Sequence, residues 1–245
     1  MTQALALPTR KSEDYRYADL AALEPLWPIA PERIVLGAGE EGALAVLHTG
    51  NGPVARDLEI VLGDGAKYAL HVLDAGESYG RFAVRVTLGA GAEFTFGAAQ
   101  LAGAGQTLEI VTEVTHAAPD AVSRQVVRSV ASARSTVNYL GKVLVAKGAD
   151  GTDGEQSVRA MLLDRTATAN ARPELEIYAD DVKCAHGCAV GELDAQALFY
   201  MAQRGLPPQE AKKLMLQAFV AEAFVGAAEE EQLLEAALGA LGRLV

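Results

Sequence analysis

The chain has little cysteine: Cys184 and Cys188 are the two among 245 residues. Two thiols four positions apart make no secreted disulfide framework, so a reducing compartment is expected. Basic side chains are also scarce, 21 Lys and Arg against 32 Asp and Glu, for a net charge of −11. A general nucleic-acid surface would be basic, so none is expected. No apolar run approaches the roughly 20 residues of a membrane span. The start, Met1-Thr2-Gln3-Ala4-Leu5-Ala6-Leu7-Pro8, lacks the basic-then-apolar order of a secretory leader. The expectation is a soluble cytoplasmic protein with neither nucleic acid nor membrane as partner. No Gly-x-x-x-x-Gly-Lys-Ser/Thr loop occurs, so any ATP hydrolysis has to come from a partner.

What is present is a large apolar fraction, 50%, ample for a real core. Residues 1–32 are polar and punctuated by Pro8, Pro25, Pro28 and Pro31, which leaves room only for a short helix over Ser12–Leu23, with Ser12 as N-cap. They read as an arm that packs on something larger.

From Arg33 the sequence repeats. Leu36-Gly37-Ala38-Gly39, Leu62-Gly63-Asp64-Gly65 and Leu88-Gly89-Ala90-Gly91 recur 26 residues apart, and Ala43-Leu44-Ala45-Val46-Leu47 recurs as Ala69-Leu70-His71-Val72-Leu73 at the same interval. A period of this size marks a stacked solenoid. Runs such as Asp57–Leu62, Arg81–Leu88, Glu93–Phe96 and Leu108–Val114 are rich in Val, Ile, Phe and Thr and are bounded by Gly or Asp, which favours strands over helices. Corners with positive φ are supplied at least cost by Gly. Residues 33–192 therefore read as a β-solenoid, with an ordinary β-sandwich as the alternative. Ser157–Leu163 and Glu174–Ala179 continue the strands less regularly, and residues 148–154 form a turn or small loop.

After Asp194 the period becomes helical. Asp194 is a suitable N-cap for Ala195–Arg204, with Gly205 at C′; further helices fit Gln209–Phe224 and Glu229–Leu241. Residues 193–245 form a C-terminal helical domain. Its middle helix is apolar over a wide arc, suited to capping the solenoid's end, to core between helices, or to a groove contact with another protein.

The chemistry-bearing stretch is Asp180-Asp181-Val182-Lys183-Cys184-Ala185-His186-Gly187-Cys188. In a strand, residues i, i+2 and i+4 share a face, so two thiols and an imidazole would stand in a row. These are ligand types for zinc, iron and iron–sulfur clusters, but three rarely close a site, and a further ligand must come from elsewhere or from another chain. Gly187 inside the row is a position at which a strand can bend and break the alignment. A buried thiol and a turn histidine are the bland alternative.

Leu175-Glu176-Ile177-Tyr178-Ala179-Asp180-Asp181-Val182-Lys183-Cys184-Ala185-His186-Gly187, followed by Gly191, Asp194, Leu198-Phe199-Tyr200 and Arg204-Gly205, closely resembles the signature of the SufB/SufD family of iron–sulfur cluster assembly scaffolds. The Asp-Asp-Val-Lys-Cys-x-His-Gly form and the Pro8-Thr9-Arg10-Lys11 segment resemble its SufD branch. The resemblance implies a right-handed parallel β-helix with a C-terminal α-helical domain. It also implies a complex in which the solenoid end pairs with a SufB-type subunit and the helical domain docks a SufC-type ATPase. A homodimer of the chain in isolation is compatible with it. The chain itself would be a non-catalytic scaffold that binds no cofactor stably; the nascent iron–sulfur cluster would be held transiently at the interface by His186, with Cys184 beside it. Partner contact is expected from Phe199, Tyr200, Arg204, Gly205, Phe219 and Phe224. Cys188 departs from the family, which more usually has a small residue there.

Two other readings remain open. One is a β-helix enzyme acting on acidic polysaccharide, for which Asp57, Glu59, Asp64 and Asp74 look like solvated turn and face residues rather than a grouped site. The other is a stand-alone zinc site at Cys184, His186 and Cys188. Asp180 and Asp181 either orient the imidazole of His186 or are turn carboxylates. His48, His71 and His116 read as surface or satisfied core rather than ligands.

Overall fold

The structure is a computed structural model and describes residues 6–245; the first five residues of the arm lie outside that range. Twelve strands alternate between two parallel six-stranded sheets. The odd sheet contains β1 (Pro31–Leu36), β3 (Val54–Leu62), β5 (Gly80–Leu88), β7 (Thr107–His116), β9 (Thr136–Val145) and β11 (Thr168–Ile177). The even sheet contains β2 (Glu41–His48), β4 (Lys67–Asp74), β6 (Glu93–Ala102), β8 (Val122–Ala131), β10 (Asp153–Leu162) and β12 (Lys183–Gly191). Each coil gives one strand to each sheet, so the chain is a six-coil parallel β-solenoid. Pro31 pairs with Asp57 and Val54 with Gly80, the 26-residue interval of the sequence repeat. Later coils are longer: Thr136 pairs with Thr168, 32 residues on.

The recurring glycines explain the interval. Gly39, Gly65 and Gly91 have φ of 69°, 66° and 63° and stack at one corner, with Gly65 N–H donating to Ala90 O at 2.7 Å. The first glycine of each motif faces a different constraint: a Cβ on Gly63 or Gly89 would lie 2.9 Å from backbone atoms of the preceding coil. In the fourth coil Asp120 takes the corner at φ 60°.

Alternate residues of each strand point into the solenoid and stack in register. On the even sheet one inward column runs Leu44, Leu70, Phe96, Gln125, Gln156, His186; its neighbour runs Val46, Val72, Ala98, Val127, Val158, Cys188. The early coils are filled with aliphatic and aromatic side chains, Leu58, Ile60, Phe82 and Phe94 among them, that are essentially fully buried. Stacking is what buries them, since no single coil covers its own interior.

The arm crosses the outer face of the odd sheet. Its helical turns are shorter than the sequence predicts: a 3-10 turn at Glu13–Tyr15 follows Ser12, and α1 (Leu20–Leu23) is capped separately by Asp19, whose carboxylate accepts from Ala22 N–H. The Arg81 guanidinium donates to Asp14 O at 2.9 Å, Glu109 accepts from Asp19 N–H at 2.8 Å, and Asn138 donates to Tyr17 O at 3.0 Å. Four strands of the odd sheet thus hold the arm, since Arg172 of β11 also pairs with Glu13.

The C-terminal helices are α2 (Ala195–Gln203), α3 (Pro208–Ala221) and α4 (Glu230–Leu241). They do not cap the end of the solenoid. The inner stripe of α3 and α4, with Leu216, Phe219, Val220, Leu233 and Leu241, packs on Leu73, Ala99, Leu101 and Val130 of the outer face of the even sheet. Those strand positions are apolar on both faces, which is the pattern of a covered sheet. Gly97 sets the closeness of the layers, because a Cβ there would meet Ala223 O at 1.9 Å. Arg128 ties them further by donating to Glu222 at 2.8 Å.

Asp74 is fully buried, not the solvated turn carboxylate expected from sequence. It stands in register with His48, and its Oδ1 lies 2.8 Å from His48 Nδ1; the other ring nitrogen is 3.1 Å from Gly52 O. Two acceptors favour the doubly protonated ring. Burial alone would lower the pKa of His48, but the Asp74 hydrogen bond and charge together with the Gly52 carbonyl outweigh it, so the net shift is upward; burial raises the pKa of Asp74 as well. A raised folded pKa gives stability that is fully present below the unfolded value near 6.5 and is lost as pH rises through the folded pKa. Resistance of the chain to chemical denaturation is expected to fall from pH 7 to pH 9, above the range in which the lowered pKa values of buried His71 and His116 act in the opposite direction, and His48→Gln is expected to reduce that fall. An equal fall in the variant would assign the effect to other groups.

Candidate functional site

β12 is the last strand of the even sheet and pairs on one edge, with β10. Cys184, His186 and Cys188 stand in register with Gly154, Gln156 and Val158, all of which are buried inward positions. The row therefore occupies inward-facing positions of the final coil, and Gly187 does not break it. Among the described residues no further coil lies over it. His186 and Cys188 are exposed and Cys184 is half-buried. Opposite them on β11, Ala171 and Leu175 are partly buried against the core. The open end thus joins an apolar half to a row of two thiols and an imidazole.

At about 3.3 Å of rise per residue, Cys184 and Cys188 are roughly 13 Å apart along the strand. No three His, Cys, Asp or Glu side chains converge on one ion among the described residues. A stand-alone zinc site of all three residues has no closed geometry here. The row suits a ligand shared with a second surface. Burial raises the pKa of both thiols, at Cys184 partly offset by a backbone hydrogen bond with Gly154. Binding metal as thiolate would therefore release a proton.

Beneath the row the core turns polar. Gln156 Nε2 donates to the Tyr139 hydroxyl at 3.2 Å, the Tyr139 hydroxyl is 3.0 Å from Thr112 Oγ1, and Thr112 donates to Gln125 Oε1 at 2.9 Å. All four side chains are buried, and burial pushes the Tyr139 phenol up to about 12. The network was not anticipated from sequence; extending the inward alternation past the third coil would have placed Gln125 and Gln156 below His186.

Asp180 and Asp181 sit at the corner before β12, where Asp181 O accepts from Gly151 N–H at 2.7 Å. Neither carboxylate is hydrogen-bonded to His186 among the described residues. They lie five and six positions before it, ahead of the strand, so the turn reading is the correct one.

In the helical layer, Asp194 caps α2 by accepting from Gln196 and Ala197 N–H, and Gly205 follows it at φ 85°. Phe199 and Tyr200 are 65% and 57% exposed, and the Arg204 guanidinium lies 5.0 Å from the Tyr200 ring centroid. Phe219 and Phe224 are buried between α3 and the even sheet, so they present no surface to a partner. Leu214 and Val225 are exposed apolar positions of this layer as well.

Comparison with known proteins gives the family. The family described as SUF system FeS cluster assembly, SufBD core domain, matches residues 53–219. The chain is 36% identical over 121 residues to the iron–sulfur cluster assembly protein SufD of Escherichia coli, a match covering 49% of this chain and 28% of that protein. It is 38% identical over 90 residues to SufD of Bacillus subtilis, 37% of this chain and 20% of that one. It is 36% identical over 118 residues to the chloroplastic protein ABCI7 of Arabidopsis thaliana, 48% of this chain and 25% of that one. The matched stretches thus span less than a third of each of these relatives. The match to the core domain covers more than half of this chain, and the chain belongs to the SufBD core family of the SUF iron–sulfur cluster assembly system.

Proposed function

We propose that the chain is a SufD-type, non-catalytic scaffold subunit whose open final coil pairs with a SufB-type subunit in the cytoplasm, with the nascent iron–sulfur cluster built between them. The observation that carries this reading is the exposure of inward-facing positions: Cys184, His186 and Cys188 lie where a further coil would cover them. β11 and β12 each leave one backbone edge unpaired, and such edges recruit a second sheet. His186 supplies a neutral imidazole to iron from this side. A ligand that is neutral where a thiolate is anionic eases transfer of the finished cluster. Cys184 is the more buried thiol of the row, and both thiols bind only after losing a proton.

The helical layer leaves Phe199, Tyr200, Leu214 and Val225 exposed, and of these the adjacent pair Phe199 and Tyr200 on α2 is the contact suited to a SufC-type ATPase. The carboxylates that a glycan-acting enzyme would need are engaged elsewhere: Asp57 with Arg85 at 2.6 Å, Asp64 with Ala90 N–H at 2.9 Å, and Asp74 buried with His48. Co-expression with SufB-type and SufC-type subunits is expected to yield a complex holding iron and acid-labile sulfide. Phe199→Asp is expected to lose the ATPase and keep the SufB-type subunit. Retention of the ATPase by that variant would move the docking surface elsewhere, and failure to pair with any SufB-type subunit would overturn the reading.

A further inference from the structure

The amide of Gln156 is the feature of the core that the scaffold reading leaves unused. Its side chain is fully buried one coil below His186, the two being in register on β10 and β12. Adjacent parallel strands place such pairs about 4.8 Å apart, side by side on one face. The Nε2 of Gln156 is committed to the Tyr139 hydroxyl at 3.2 Å, while its Oε1 is buried with no hydrogen-bond partner. A buried acceptor in that state is unfavourable, so its persistence calls for a partner.

The same sheet shows what inward polar neighbours in register do. His48 and Asp74 meet at 2.8 Å, and Ser129 donates to Gln100 at 2.8 Å, each pair one coil apart in a single column. In the Gln156 column the residues are apolar through Leu44, Leu70 and Phe96 and become polar only at Gln125, Gln156 and His186. Polar side chains are thus placed in that column only under the imidazole.

We infer that Gln156 is a positioning residue for His186: its Oε1 accepts from one ring N–H and leaves the other nitrogen unprotonated and facing out of the open coil. The inference rests on the scaffold reading of His186. Thr112, Gln125 and Tyr139 hold the amide in turn, so the tautomer at the surface is set by a chain of bonds reaching two coils into the solenoid. A metal-binding imidazole is ordinarily fixed this way, through a hydrogen bond on its second nitrogen.

The test uses the full chain labelled with 15N-histidine, with the His186 signals identified by their loss in His186→Ala. In the native chain one of the two ring tautomers is expected to dominate. Gln156→Met, of similar length but without the amide, is expected to shift the ratio towards the other tautomer, and Gln156→Glu to restore the native preference. In the complex with the SufB-type subunit, Gln156→Met is expected to lower iron content by about tenfold and Gln156→Glu to recover it. An unchanged tautomer ratio in Gln156→Met overturns the inference, as does a shifted ratio with full iron content. Full iron content in His186→Ala would instead overturn the scaffold role of His186, whatever the tautomer data show.

Discussion

Replacing Glu109 with alanine is expected to destabilise the fold by about 3–5 kcal/mol. Glu109 on β7 and Arg81 on β5 stand in register on the outer face of the odd sheet, beneath the arm, and are 1% and 2% exposed. Their 2.5 Å contact is supplemented by Asp19 N–H donating to Glu109, Arg81 donating to Asp14 O, and the Arg81 guanidinium lying 4.3 Å from the Tyr15 ring centroid. Alanine at 109 leaves a buried guanidinium uncompensated and frees the backbone of the arm together. In a chain of this size the loss corresponds to roughly 6–20 °C in melting temperature. The arm should also become open to proteolysis between Asp14 and Asp19. Replacing both partners, Arg81→Met with Glu109→Leu, is expected to recover much of the loss, because a desolvated pair contributes less than a broken one costs. A melting temperature unchanged in Glu109→Ala would contradict the burial of this pair.

His186→Ala is expected to have the opposite profile: a small effect on the isolated chain and a large effect on the assembly. The side chain is exposed, so its truncation opens no core cavity, and the loss of stability should not exceed the about 1–3 kcal/mol of an acceptor left unpaired at Gln156. Pairing with the SufB-type subunit should persist, since the two open strand edges and the apolar half around Ala171 and Leu175 are untouched. Iron and sulfide per complex should fall by about tenfold or more, the scale found when a metal site loses even a supporting residue. His186→Cys separates ligation from release. A thiolate there should hold the cluster but slow its transfer to an apo acceptor protein, because it adds anionic charge where the imidazole has none. Undiminished cluster content in His186→Ala would remove this residue from the site.

Much of the architecture was legible because the first coils obey one constraint. Leu36, Leu62 and Leu88 pair in register; the second glycine after each has positive φ, and the first is fixed by close backbone approach at Gly63 and Gly89. Coil length could then be counted from the sequence. Beyond the third coil the corners lengthen, Asp120 replaces a glycine, and the interval is lost, although alternation and β-branched residues still mark the strands. The Cys184, His186 and Cys188 row was legible from strand periodicity alone, and its exposure was not, because periodicity gives the face a side chain takes and not whether another coil covers it. The same limit explains Phe219 and Phe224. An apolar arc on α3 shows that the helix buries a face, and only the apolar outer positions Leu73, Ala99, Leu101 and Val130 reveal against what. Asp74 looked solvated because it closes a strand beside a turn. Its partner His48 lies one repeat earlier at the same position of the frame, a pairing visible only once the repeat is read as a stack.

The most direct measurement is alkylation of the two thiols, read by mass spectrometry, in the isolated chain and in the complex with the SufB-type subunit. Cys188 is exposed and Cys184 half-buried, so the isolated chain should react at both, faster at Cys188. In the complex, modification of both should slow by roughly tenfold or more as the partner covers the final coil. A Cys188 that reacts at the same rate in the complex as in the free chain would contradict the account.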